Sequence, residues 1–312
     1  MPRSRRPSST DPPTSTWPRG AVLTTTGTVR VEAEPGRPTS VTVYVNDVPS
    51  SHLDLCDPGY LAFEYMQQMA VFIDALPTGP IRAVHLGAAG CSLARYIDFT
   101  RPGSRQIAVD IDDRLISLMR QWFDLPRAPR LRIRPDDARH AVTTLTPAWA
   151  DLVIRDVFAD DVTPAHLTTV EFARLVRGVL RPGGLYLANS ADRPPLALAR
   201  AELATLAAAW SDAPDIWSKL AVATEPAVFK GRRYGNVVLA AVEPGSPDPL
   251  WEKSPSATSP GLPGGWPEQT ITALARALRS LPVPAQVLTG AQARAFAGSA
   301  AVLHDAAPPP AA

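Results

Sequence analysis

A chain of 312 residues with 45% hydrophobic residues is long enough for one large α/β domain with something appended, or for two modest domains. Its formal net charge of +1 supplies no general attraction for nucleic acid or an anionic membrane. Cys56 and Cys91 cannot build a disulfide framework, the five histidines show no zinc-site spacing, and no apolar run approaches the ~20 residues of a membrane span.

Residues 1–19 are Pro/Ser/Thr-rich and basic at Arg3, Arg5 and Arg6, which predicts a disordered tail and not a signal peptide. The cytoplasm is therefore the expected location. Residues 20–56 hold β-branched, partly alternating runs around the turn signal Glu34-Pro35-Gly36-Arg37-Pro38, the pattern of a small antiparallel β unit. From Pro58 the period becomes helical through Tyr60, Phe63, Met66, Met69 and Phe72. Apolar runs at 82–86, 106–111, 131–134, 151–155, 185–189 and 236–242 then alternate with helical patterns, notably 112–123, 166–181 and 195–210. Such alternation predicts an α/β, doubly wound, mainly parallel sheet over residues 57–243. Residues 244–267 read as a Pro/Gly-rich linker with exposed Trp251 and Trp266, and 268–312 as a helical segment and disordered tail.

Ligands of open parallel sheets bind beyond the carboxyl ends of the strands, and four strand ends here carry polar or small residues. The first strand runs into Gly87-Ala88-Ala89-Gly90-Cys91-Ser92, a small-residue turn that lets a ligand approach a helix N-terminus; a plain tight turn is the alternative. The second ends at Asp110-Ile111-Asp112, where Asp112 suits a helix cap and Asp110 a ribose diol. At Asp136-Asp137-Ala138 either aspartate can cap a helix or accept from an adenine amino group. The fourth end, Arg155-Asp156, aims a carboxylate at the cleft to orient or deprotonate an amine, unless Asp156 only pairs with Arg155. His140 and His166 read as surface or satisfied residues, and the Met and aromatic positions at 63, 66, 69 and 72 as core.

Together with Val48-Pro49-Ser50-Ser51-His52 and Tyr60-Leu61-Ala62-Phe63-Glu64-Tyr65-Met66, these strand ends resemble the spermidine synthase family of the class I methyltransferase fold, over roughly residues 40–242. The resemblance implies a seven-stranded Rossmann-like sheet behind the β unit and a homodimer as the assembly to expect. It implies S-adenosylmethionine or its decarboxylated form as cofactor and a small amine or other small molecule as acceptor; composition adds the expectation of no metal and of neither nucleic acid nor membrane as partner. Asp110 matches the ribose-binding acid, Asp137 the adenine-binding acid, and Asp156 the first acid of the family's Asp-Ser-Ser-Asp-Pro motif. Tyr60, Glu64, Tyr65 and Asp160 are the implied acceptor-binding residues. The sequence departs from the family where Gly90 stands for the loop acid, Ala159 for the second acid of the Asp-Ser-Ser-Asp motif, and Phe63-Glu64-Tyr65-Met66 for Tyr-Gln-Glu-Met. Three functions follow: aminopropyl transfer to an amine, methyl transfer on the same scaffold, or binding of a nucleoside or partner without catalysis.

Overall fold

A computed structural model of the chain describes residues 17–159, 162–213, 215–245 and 265–306. Most of the expected N-terminal tail, most of the linker with Trp251, the end of the C-terminal tail, and Asp160 and Asp161 lie outside the described residues.

Four strands come first, β1 (Val22–Leu23), β2 (Thr28–Glu34), β3 (Arg37–Val45) and β4 (Val48–Asp54), paired antiparallel in that order. Val29, Val31, Val41, Val43 and Leu53 are all buried and share a core with Ala94, Leu115, Leu118 and Met119. At roughly 1.5–3 kcal/mol per buried aliphatic side chain, this interface stabilises a unit that would be marginal alone.

The large domain then runs α1 (Glu64–Asp74), β5 (Arg82–Leu86), α2 (Ser92–Thr100), β6 (Arg105–Asp110), α3 (Asp113–Trp122), β7 (Leu131–Pro135), α4 (Ala138–Thr143) and β8 (Ala150–Arg155). It continues through α5 (Val170–Val179), β9 (Leu180–Asp192), α6 (Ala197–Ala209), β10 (Leu220–Thr224), α7 (Pro226–Phe229) and β11 (Gly235–Val242). After the linker come α8 (Glu268–Arg279), β12 (Gln286–Thr289) and α9 (Gly290–Ala297). The sheet order is β12-β10-β11-β9-β8-β5-β6-β7. Pairing is parallel from β9 to β7 and antiparallel from β9 outward through β11 and β10 to β12.

The sheet thus has eight strands where seven are expected. The seventh, to which the apolar pattern assigns no run, is β10; the eighth is β12, a four-residue strand between two helices. Residues 268–306 are accordingly part of the sheet domain and not a helical appendage. Core helices cover both faces: Val142, Phe172, Val176 and Leu203 on one, Met69, Phe72, Leu274 and Leu278 on the other. Trp266, expected to be exposed, is buried, lies edge-on to Phe72 at 5.6 Å and donates its indole N–H to the Lys219 carbonyl at 3.1 Å.

One carboxylate joins the two sheets. Asp112 caps α3 by accepting from the Leu115 amide at 2.7 Å, and it also accepts from the Thr25 and Thr26 amides and the Thr26 hydroxyl. Burial disfavours its charge, but these donors outweigh burial and hold the carboxyl well below its ordinary range. A depressed folded-state pKa gives stability that is present above the unfolded value of about 3.9 and lost as pH falls. Asp112→Ala should therefore cost about 2 kcal/mol or more in urea unfolding at pH 7. It should also flatten the acid limb of the stability curve; an unchanged limb would refute the link.

Candidate active site

The carboxyl ends of β5, β6, β7 and β8 lie side by side because these strands pair in parallel register. Where β5 ends, the Gly87 amide donates to the Val109 carbonyl at 2.9 Å, and the Asp156 amide donates to the Leu86 carbonyl at 2.8 Å. Gly87 has φ of +86°, and a Cβ there would stand 2.1 Å from the Asp156 carbonyl oxygen. Only glycine fits where the two chains pass this closely. Ala89 and Cys91 adopt positive φ of 34° and 60°, so the loop is held in backbone conformations that side chains resist.

Asp110 supplies that hold. One of its carboxylate oxygens accepts from the Ala88 and Ala89 amides at 3.1 and 3.0 Å, the other from the Asp112 amide at 3.0 Å. A carboxylate has about four acceptor positions, so capacity for a further hydroxyl donor remains after these three. On the other flank β4 of the small sheet closes over the loop. The Gly90 amide donates to the Ser51 hydroxyl at 2.9 Å, and the Ser92 hydroxyl to the His52 carbonyl at 2.8 Å. A Cβ on Gly90 would lie 2.7 Å from the Ser51 Cβ.

Asp156 is the chemically exceptional group. One carboxylate oxygen accepts from the Tyr65 hydroxyl at 2.8 Å and the other from the Asn189 amide nitrogen at 3.0 Å. Burial raises its pKa above the ordinary carboxylate value; the Asn189 and Tyr65 donors and the Arg155 charge pull the other way without cancelling it. Burial and the neighbouring carboxylate in turn push the Tyr65 phenol well above its usual value, so Tyr65 is a donor throughout the physiological range. Asp156 lines a small cavity of about 40 Å³ beneath the loop, together with Ser51, Met66, His85, Gly87 and Cys91. Burial pulls the His85 imidazole down to about 4 and pushes the Cys91 thiol up to about 12. Among the described residues lining that cavity, Asp156 is the one carboxylate.

The remaining sequence candidates fall into three sets. Asp137 caps α4 by accepting from the His140 amide at 2.9 Å, while its second oxygen meets His166 Nε2 at 3.1 Å. Asp136 is committed to Arg134 and to His140 Nδ1 and is not a second free acid; Ala138 is the buried first residue of α4. Both histidines read as surface residues are therefore exposed partners of these two acids. Tyr60 and Glu64 are not brought to Asp156: Tyr60 lies against His52 and under the Arg37 guanidinium, and Glu64 is exposed in the first turn of α1. Asp160 is outside the described residues. Arg155, the alternative partner for Asp156, forms its ion pair instead with Glu202 at 2.6 Å. Sequence reading missed Asn189, although a polar residue closing the apolar run 185–188 is the same signal that marks Asp156.

The donor set fits a nucleoside ligand in two respects. An acid with spare acceptor capacity ends β6, and a half-exposed acid follows β7. The residues beside them, Ala88, Ala89 and Ala138, carry only small side chains. Among the described residues, no group of three or more His, Cys, Asp or Glu side chains is placed to hold a metal. No described helix is long and apolar enough to cross a membrane.

No family model matches the chain. The structure of a probable spermidine synthase from Corynebacterium glutamicum superposes with a TM-score of 0.77 at 36% identity, covering 93% of this chain and 97% of that one. The polyamine aminopropyltransferase of Neisseria meningitidis serogroup A is 29% identical over 148 residues, 46% of this chain and 55% of that protein. The mouse eEF1A lysine and N-terminal methyltransferase is 27% identical over 159 residues, 46% of this chain and 23% of its own length. The chain thus spans about half the length of the curated aminopropyltransferase it matches.

The crossing at Gly87 is directly testable. Gly87→Ala forces a methyl group against the Asp156 carbonyl at positive φ and should destabilise the fold by about 2–4 kcal/mol, read by chemical denaturation. A loss under about 0.5 kcal/mol, the range of ordinary surface changes, would show that the loop relaxes freely.

Proposed function

Because the chain belongs to the spermidine synthase family, we propose that it is a cytoplasmic transferase moving an aminopropyl group from decarboxylated S-adenosylmethionine to a small amine. The observation that carries this reading is Asp156, half-buried at a strand end beside the small-residue loop, with both carboxylate oxygens oriented by Tyr65 and Asn189. The donor, when bound, would supply a propyl carbon made electrophilic by its sulfonium, the carbon–sulfur bond breaking as the carbon–nitrogen bond forms and the sulfur leaving as the neutral thioether of the nucleoside. Asp110 would take a ribose hydroxyl on its remaining acceptor position and Asp137 an adenine amino proton, in exchange with or beside His166. Asp156 would accept a hydrogen bond from the attacking amine and then its proton. Partial burial makes it a stronger base than an exposed carboxylate, and the two fixed donors keep the accepting lone pair aimed.

A second reading, transfer from ordinary S-adenosylmethionine, is favoured by one observation. Ser51 fills the space a side chain at position 90 would need, so the loop offers no acid to a donor's ammonium and nothing to repel a methionine carboxylate. Ala159, where the resemblance places a second acid, weakens the diamine end in the same way. The third reading, binding without catalysis, loses one of its two motivating tryptophans, since Trp266 is a core residue.

Asp156→Asn should lower turnover on the order of 10²–10⁴-fold while calorimetry shows nucleoside affinity unchanged. Unchanged turnover would remove Asp156 from the reaction. Calorimetry with both donors separates the first two readings, tighter binding of the carboxylated form moving the assignment to the second. Because Asp156 must be ionised to act, rate should rise with pH through its raised pKa. Tyr65→Phe deletes a donor to the carboxylate and should move that acid limb to higher pH; a limb that stays put or moves down would exclude Tyr65 as a partner of the working carboxylate.

A further inference from the structure

Directly behind Asp156 lies a charge pair that the reaction as described does not use. Arg155 is 0% exposed and Glu202, on α6, 4%. Arg155 Nη2 stands 2.6 Å from Glu202 Oε2. The same guanidinium donates from Nη1 to the Leu167 carbonyl and from Nη2 to the Asn189 carbonyl, both at 2.9 Å. Arg155 Nε and Glu202 Oε1 are buried with no hydrogen-bond partner among the described residues. A buried ion pair with unfilled polar atoms is a poor stabilising device, because desolvating the two charges offsets most of their attraction. Its geometry, by contrast, is specific. Leu167 ends the one-turn helix Ala165–Leu167, whose His166 holds Asp137. Asn189 is the residue whose amide holds Asp156.

We infer that the Arg155–Glu202 pair is a positioning device that locks the Ala165–Leu167 turn and the end of β9 onto one another, so that the Asp137 half and the Asp156 half of the site keep a fixed spacing. This rests on Asp156 being the proton acceptor. Neither Arg155 nor Glu202 touches a reacting group; both act through Asn189 and the turn. A guanidinium suits the task because its planar fork reaches two carbonyls and a carboxylate at once, which an ammonium on a flexible stem does not reproduce. The groups facing Asp156 are Tyr65 from α1, Asn189 from β9 and the Arg155 charge on its own strand. Those facing Arg155 are Glu202, Tyr186 and Asp156. The Arg155 charge favours ionised Asp156, so its removal works in the direction of a higher carboxyl pKa.

The test replaces the pair by apolar side chains of similar volume, Arg155→Met with Glu202→Leu, an exchange that buried pairs tolerate without loss of stability. The expected result is a cooperative melt, relief of the buried charges being set against two carbonyls that lose a donor, with turnover reduced on the order of 10²-fold, the scale of a 1 Å misplacement. The carboxyl carbon resonance of Asp156, followed by ¹³C NMR in the free protein, should titrate at higher pH than in the wild type. Arg155→Lys keeps the charge but not the fork. It should leave that titration near the wild-type position and still lose turnover. A stable double variant with wild-type turnover and wild-type Asp156 titration would overturn the inference. If the double variant fails to fold, Arg155→Lys decides alone, full turnover counting against. Asp156→Asn run alongside keeps the two claims apart. Full activity there would sink the proton-acceptor reading, whereas the NMR titration judges Arg155 whether or not that reading survives.

Discussion

The parallel pairing of β5 with both of its neighbours fixes everything else at the site. Through it the Leu86 carbonyl accepts from the Asp156 amide and the Gly87 amide reaches the Val109 carbonyl. The small-residue loop therefore leaves the sheet between two carboxylates, Asp110 on β6 and Asp156 just past β8. Parallel strands are buried on both faces, and β8 is buried along its whole length. A slip of one residue would turn every side chain to the opposite face and carry both acids out of the cleft. The position of the chemistry is in this sense a by-product of core packing, with Gly87 as the one residue whose absence of a side chain lets the two chains pass.

The resulting site is uneven. At the loop, Asp110 and the small residues are in place, and the three hydrogen bonds to Asp110 leave room for a further donor. On the other flank Ser51 occupies the space beside Gly90, and Ala159 carries no charge. An ammonium without a buried partner is costly, so under the proposed function the polar groups of this half would decide which donor and which acceptor bind. The same sheet that closes the loop is held by Asp112 through Thr25 and Thr26. Under the proposed function, substrate choice and the docking of the β unit would therefore be linked.

The fold is largely legible in the sequence because apolar runs bounded by turn residues report burial directly. The order of strand ends at Gly87, Asp110, Asp137 and Asp156 follows from that alone. What is not legible depends on contacts between distant segments. β12 is too short to show a period, and its partner β10 has five residues of mostly small side chains. A helix-capping aspartate and one that holds a loop share one sequence signature, so Asp112 is separated from Asp110 only when their acceptor oxygens are traced. Tyr60 and Glu64 lie within five positions of Tyr65, yet Tyr60 precedes α1 and of the three Tyr65 is the one that hydrogen-bonds Asp156. Arg155 and Glu202 are a strand residue and a helix residue, and nothing near either one announces the other.

The edge strand β12 has a consequence for how the chain is made. Val222 of β10 pairs with Leu288 of β12, so the sheet's outer antiparallel edge is completed by a segment that leaves the ribosome well after the strands it covers. Until then β10 presents an open edge with its backbone donors and acceptors unpaired, the geometry that recruits foreign strands. During synthesis, the last strand acts as a cover for the nascent protein before it is a part of the finished one.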